Sequence, residues 1–243
     1  MDSTQDAKQL IQQAKNICII PSKEDKSEGI ACSLALFYTL KNLGKNVNLI
    51  IDDLPEKFNF LIPSLDFISY PKNFVISIPN KAADISQVYY EKNDENLKIK
   101  LTLNKGSVRK ENISFYFAEP EPDLVITVGV KNFQQQLTDQ LNSYGFLLNS
   151  QILNIDNQND NKVFGKMNLV FNTSISETIW DIIETASQNM ENKNALTCLL
   201  LGLIIYTDNF TNKNTTSNIF QKAGVLISKG AEHQKIIENL KSF

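Results

Sequence analysis

Apolar positions along the chain follow two rhythms, and the switches between them predict most of the elements. Residues 4–16 place Leu10, Ile11 and Ala14 on one helical face, with Ser3 or Thr4 available to cap it. A short apolar run over 17–20 ends at Pro21 and predicts a first strand. A polar loop, 22–29, then leads into helical spacing over 30–43. Gly44 stops that helix, and 47–51 forms the next strand. A strand, a helix and a second strand in this order imply a parallel crossover. Residues 55–61 predict a short helix and 74–78 another strand.

Between 80 and about 118 the rhythm changes to period two. Val88-Tyr89-Tyr90, residues 97–103 and residues 113–117 alternate, with polar turns at Asn93-Asp94-Glu95 and Asn104-Lys105-Gly106. This predicts an inserted antiparallel meander with one wet face. The βα rhythm resumes with a buried strand over 123–128, ended by Gly129. A Gln-rich helix over 133–142 follows, then an apolar run that delivers Asp156 to a strand end. Residues 168–171 are short and apolar. Ser174-Ile175-Ser176-Glu177 has capping-box spacing and opens a helix with Ile179, Trp180, Ile183 and Ala186 on its apolar face. Residues 195–205 are hydrophobic nearly all round and belong in the interior. Helices over 215–228 and 231–240 complete the chain. The predicted class is α/β: a mainly parallel, doubly wound sheet with an inserted antiparallel β-meander and a helical C-terminal part, in a single domain over 1–243.

Composition narrows the chemistry. With 42% hydrophobic residues and 9% aromatic residues, a soluble globular protein is expected. The longest apolar run, 198–206, falls far short of the ~20 residues of a membrane helix. The first residues lack the basic and apolar regions of a secretory signal, so a cytoplasmic location with no membrane association is expected. Cys18, Cys32 and Cys198 lie far apart in apolar surroundings and read as reduced core thiols. Net charge is −3 and Arg109 is the lone arginine, so no strong duplex nucleic-acid footprint is present. The basic trio Lys105, Arg109 and Lys110 reads as a solvated turn. His233, the lone histidine, falls on the exposed side of the last helix and reads as a surface residue.

The stretch that could carry chemistry starts at Asp156. Carboxylates at the C-terminal ends of parallel strands are where open α/β sheets collect ligands. Here Asp156-Asn157-Gln158-Asn159-Asp160-Asn161-Lys162-Val163-Phe164-Gly165 resembles the D-H-H-x-x-N-x-x-F-G signature of the DHH phosphoesterases, with both histidines replaced. Three further matches spread the resemblance over nearly the whole chain. Residues 29–36 align with the start of the helix that follows the family's first site loop; there Ser22 stands for the histidine, and Lys26 and Glu28 for two aspartates. Gly129 stands where a second aspartate ends a strand. Gly202-Leu203-Ile204-Ile205-Tyr206-Thr207-Asp208-Asn209-Phe210 matches a G-I-x-x-D-T-x-x-F pattern, with Tyr206 for the aspartate.

This resemblance implies a scaffold that elsewhere holds two Mn²⁺ or Mg²⁺ ions, which activate water and stabilise attacking and leaving oxygens. The substitutions argue against that chemistry in this chain. A lysine repels a cation and offers no acceptor, glycine supplies no ligand, and tyrosine is neutral near pH 7. Asp156 is the one ligand retained outright, a residual metal position, with Glu28 a longer substitute. Asp160 and Asp208 are the neighbouring carboxylates that could rescue a ligand role, although Asp208 should point elsewhere. The family's C-terminal substrate-binding domain is expected to be absent. The expected function is therefore that of a catalytically inactive homologue with no catalytic residues and no cofactor, binding a partner protein or a nucleotide. Its ligand contacts are expected from Lys26, Glu28, Asn157 and Gln158, with Lys26 serving as a built-in cation. Pairing with itself or with a relative of the family is the implied assembly. The alternative is a Mn²⁺- or Mg²⁺-dependent phosphoesterase acting on short oligonucleotides or nucleoside phosphates.

Overall fold

The computed structural model describes residues 3–23, 28–51, 54–64, 68, 73–118, 122–136, 150–186 and 192–240. Nine strands are present among them: β1 Asn16–Pro21, β2 Asn46–Leu49, β3 Asn73–Ser77, β4 Ala83–Lys92, β5 Leu97–Gly106, β6 Ser114–Ala118, β7 Leu124–Val128, β8 Gln151–Asp156 and β9 Met167–Val170. The α-helices are α1 Ser3–Gln13, α2 Glu28–Asn42, α3 Phe133–Gln136, α4 Ile175–Ala186, α5 Lys193–Tyr206, α6 Ser217–Ser228 and α7 His233–Leu240. Residues 133–136 of the predicted Gln-rich helix are helical; 137–149 lie outside the described residues.

The chain divides into two compact units, one of residues 1–70 and 121–243, the other of residues 71–120. In the larger unit five strands pair in parallel in the order β2-β1-β7-β8-β9. Strands β1, β7 and β8 are buried along nearly their whole length, as parallel strands covered on both faces must be. On one face α2 and α5 pack against each other, with Phe37, Leu34, Ile126, Leu153 and Leu199 fully buried among them. On the other face Cys18, Ile20, Val125, Phe133 and Ile152 form a smaller cluster, where the Phe164 ring stacks on Phe133 at 5.5 Å. All three cysteines are free and buried. The α/β class read from the sequence holds, including the buried helix α5.

From β1 the sheet grows in both directions: the chain crosses to β2 on one side and later returns to β7 on the other. Such a reversal opens a crevice above the C-terminal ends of the two central strands, where ligands collect in sheets of this type. At the opposite end, the backbone N–H groups of Lys15 and Asn16 both donate to Asp123 at 2.8 Å and tie the start of β1 to the start of β7.

The smaller unit departs from the expected meander. Strand β4 pairs with β5 in an antiparallel hairpin, while β6 pairs antiparallel with β3. Residues 74–78 therefore do not join the parallel sheet. The physical reason lies in the two connections. At the first, the Asn93 side chain accepts from the N–H groups of Glu95 and Asn96, which closes a tight hairpin turn. Between β5 and β6 a 3-10 turn at Lys110–Asn112 lengthens the connection, and β6 finds β3 instead of β5. The Phe74 and Phe115 rings stack at 5.9 Å across that second pair.

Candidate functional site

At the C-terminal ends of the central strands lies a cavity of about 330 Å³. Much of its lining comes from four places in the chain: Glu28 and Gly29 at the start of α2, Gly129 after β7, Asn157 and Gln158 after β8, and Ile205 and Tyr206 at the end of α5. Asn172, Ile175 and Asn214 complete the lining. Glu28, Asn157 and Gln158 were expected here, and the fold brings all three into one cleft. Lys26 lies outside the described residues.

Asp156 sits beneath this cleft, 2% exposed. One carboxylate oxygen accepts from the Asn157 backbone N–H at 2.8 Å and the Gln158 side chain at 3.5 Å; the other accepts from Asn161 Nδ2 at 2.6 Å. Asn161 in turn donates to the Val130 carbonyl at 2.9 Å, while its oxygen accepts from Asn154 Nδ2 and the Val163 N–H. Asn154 also donates to Asn168 at 3.1 Å and accepts from Thr127 at 3.1 Å. The loop after β8 is thus built on a chain of buried side-chain amides, with Asp156 as its anchoring acceptor. Buried polar groups persist only when satisfied in this way.

Glu28 is the second buried carboxylate. It accepts from the Ser174 hydroxyl, from the Ser176 backbone N–H at 2.8 Å and from Asn157 Nδ2 at 3.2 Å. Two of these donors stand at the start of α4, where N–H groups lack intrahelical partners and the helix dipole favours a negative charge. The spacing Ser174 to Glu177 had suggested an internal capping box. In the structure the carboxylate that meets this helix start comes from α2, and Glu177 accepts from Asn218 of α6 instead. Burial pushes the Glu28 carboxyl up to about 7, against the pull of the Ser174 and Ser176 donors. Tyr206, at the cleft edge, has its phenol raised by burial and by the negative charges of Glu28 and Glu177.

Gly129 has φ +69°, a left-handed conformation in which an aspartate would be strained. Its carbonyl accepts from Gln158 at 3.3 Å. Ser22 is buried beside it: a Cβ on Gly129 would lie 3.6 Å from Ser22 Cβ. Ser22 and Lys23 face a neighbouring cavity with Lys131 and Asn132. Asp160 forms an ion pair with Lys131, which lowers its pKa. Asp208 is exposed in a run of three left-handed residues, Asp208, Asn209 and Phe210. His233 opens α7, partly buried, and is not among the residues lining the cleft.

Among the described residues no group of three or more His, Cys, Asp or Glu side chains is placed to hold a metal ion. The donors around Asp156 and Glu28 are N–H and O–H groups aimed at the oxygens a cation would need. These described residues do not fit a two-ion centre. What they form is a cleft lined by carboxamides, the Glu28 carboxyl, one phenol, two isoleucines and backbone. Reading the sequence for ligand positions missed the Asn154–Asn161–Asn168 chain and the Ser174–Ser176 clamp on Glu28. The repeated asparagines after Asp156 and the serines flanking Ile175 were the available signals.

No family model matches the chain, and no curated protein matches it. Among solved structures the chain is similar to an exopolyphosphatase-related protein from Bacteroides fragilis, with a TM-score of 0.68 at 15% identity. The likeness covers 99% of this chain and 60% of that one, so the chain spans less than two thirds of that protein's length. No helix among the described residues is long and apolar enough to cross a membrane. At this identity the likeness is one of fold: the chain shares the α/β architecture of that exopolyphosphatase-related protein.

Proposed function

We propose that this chain is a DHH-type phosphoesterase homologue whose cleft binds a nucleotide without metal and without hydrolysing it. The observation that carries this reading is the state of the two buried carboxylates. Asp156 and Glu28 are engaged by amide and hydroxyl donors, and the remaining cleft offers hydrogen-bonding carboxamides beside an aromatic ring. Carboxamides pair in two directions with the edges of a nucleobase, and a phenol ring offers a stacking face. A cavity of about 330 Å³ sits within the range of small-molecule sites. Its place at the strand-order reversal supports a ligand there.

Calorimetry with adenosine and guanosine monophosphates in a chelator tests the reading. Binding that persists in chelator and weakens when Asn157 and Gln158 are changed to Ala supports it; no binding of either nucleotide overturns it. The likeness to an exopolyphosphatase-related fold keeps a second reading, a Mn²⁺-dependent phosphoesterase. Mononucleotide release from a dinucleotide in millimolar Mn²⁺ would replace the first reading with the second.

A further inference from the structure

The cleft suits a base better than a phosphate. Among its described lining residues Glu28 is the acid, and no lysine or arginine stands with it. A phosphate monoester carries close to two negative charges near pH 7 and three acceptor oxygens, so it needs cations and donors.

Those groups stand next door. A second cavity, also of about 330 Å³, is lined by Ser22, Lys23, Lys131, Asn132, Gln135 and Gln136, with two ammonium groups and no carboxylate. Gly129 links the two cavities: it lines the cleft, and a Cβ on it would lie 3.6 Å from that of Ser22. Gly29, 3.5 Å from the same point, also lines the cleft, so the cleft side of this border is bare backbone. Lys23 follows Ser22 by one residue and Lys131 follows Gly129 by two, at most about 7 Å of chain, so both side chains can reach the border.

The far wall is fixed. Gln136 donates to the Pro21 carbonyl at 3.0 Å. The Asn132 side-chain oxygen accepts from the N–H groups of Gln134 and Gln135, so its amide donors are what it can offer a ligand. One anionic oxygen is already held at the rim: Asp160 pairs with Lys131, which keeps that carboxyl below its usual range. An exposed pair is worth little, and an ammonium has three donors, so a phosphate can share or displace Asp160.

We propose that this second cavity is a phosphate site, in which Lys23 and Lys131 hold the phosphate of a nucleotide whose base lies in the cleft. The phosphate site stands on its own lining, while the link to a base rests on the nucleotide reading of the cleft. Asp160 is then a built-in competitor for Lys131.

Calorimetry of the full chain with adenosine and with adenosine monophosphate, in chelator, tests this together with the phosphorus resonance linewidth of inorganic phosphate. The variants are Lys23→Ala, Lys131→Ala and Asp160→Asn, whose side chains reach solvent; far-ultraviolet dichroism matching the parent verifies their fold. The monophosphate should bind at least about ten-fold tighter than adenosine. Either lysine substitution should weaken it about ten-fold with adenosine unaffected, and Asp160→Asn should strengthen it about three-fold. Added salt should weaken the monophosphate and leave adenosine unchanged. Inorganic phosphate should broaden with the parent chain and sharpen with both lysine variants. No broadening of inorganic phosphate, adenosine and its monophosphate bound alike, or phosphate binding indifferent to both lysines overturns the proposal. The cleft reading fails differently: a monophosphate held no tighter than inorganic phosphate, and indifferent to Asn157→Ala and Gln158→Ala, leaves the phosphate site standing alone.

Discussion

Glu28 sets an unusual condition on the molecule's response to pH. Its carboxyl titrates near 7 when folded and near 4.5 when free, so between those values the folded chain keeps a proton the unfolded chain has released. Stability then falls as pH rises through that window, by on the order of 3 kcal/mol in total, and levels off above it. Denaturant unfolding at intervals from pH 4.5 to 8 should show this slope, and Glu28→Gln should flatten it. Asp123 works in the opposite sense: two backbone N–H groups hold its carboxyl below the usual range, so what it contributes is lost only in acid. Asn161 joins Asp156, Val130, Asn154 and Val163 in one buried knot. Asn161→Ala should cost about 2–4 kcal/mol, since it leaves a buried carboxylate oxygen and amide groups without partners; a shift of the unfolding midpoint measures it. The sequence announces Asp156 through its place at a strand end. It marks Asn161 only as the asparagine of the resembled signature and is silent on its role, because a side-chain amide looks the same in a solvated turn as in a buried network.

At the scale of elements, hydrophobic rhythm carries most of the information. Strands β1, β7 and β8 and helices α2, α4 and α5 all stand where periodicity puts them, because burial on both sheet faces demands long apolar runs. Strand pairing in the smaller unit was not legible. Alternation shows that residues 74–78 and 113–117 are extended, but either could pair with several neighbours of like pattern, and turn geometry decides. The contact between α5 and the start of α4 was equally hidden. A Cβ on Gly202 would come 2.0 Å from Ser176 Oγ and 3.1 Å from Cys32 Sγ, so this glycine lets α5 lie against α2 and the Glu28 clamp. Gly202→Ala gains about 1 kcal/mol in helix propensity. It should still destabilise, by about 1–3 kcal/mol, because the helices must move apart. Thermal unfolding of the variant would show the sign.

For the molecule as a whole, the two units differ in how they are held. The larger one buries a continuous core on both faces of its sheet, whereas both strands of the long hairpin are exposed along most of their length. Hydrogen exchange on dilute protein should find the slowest amides in β1, β7 and β8, and amides of 83–106 exchanging at least ten-fold faster. The knot around Asp156 also bears on any attempt to build a two-ion centre into this cleft. Grafting acids at positions 129 and 206 would not recruit divalent ions by itself. The backbone at 129 is wound left-handed, and the oxygens of Asp156 are already committed to neighbouring carboxamides. Such a redesign would have to dismantle Asn161 and rebuild the loop it supports, trading stability for each coordination bond it hoped to gain.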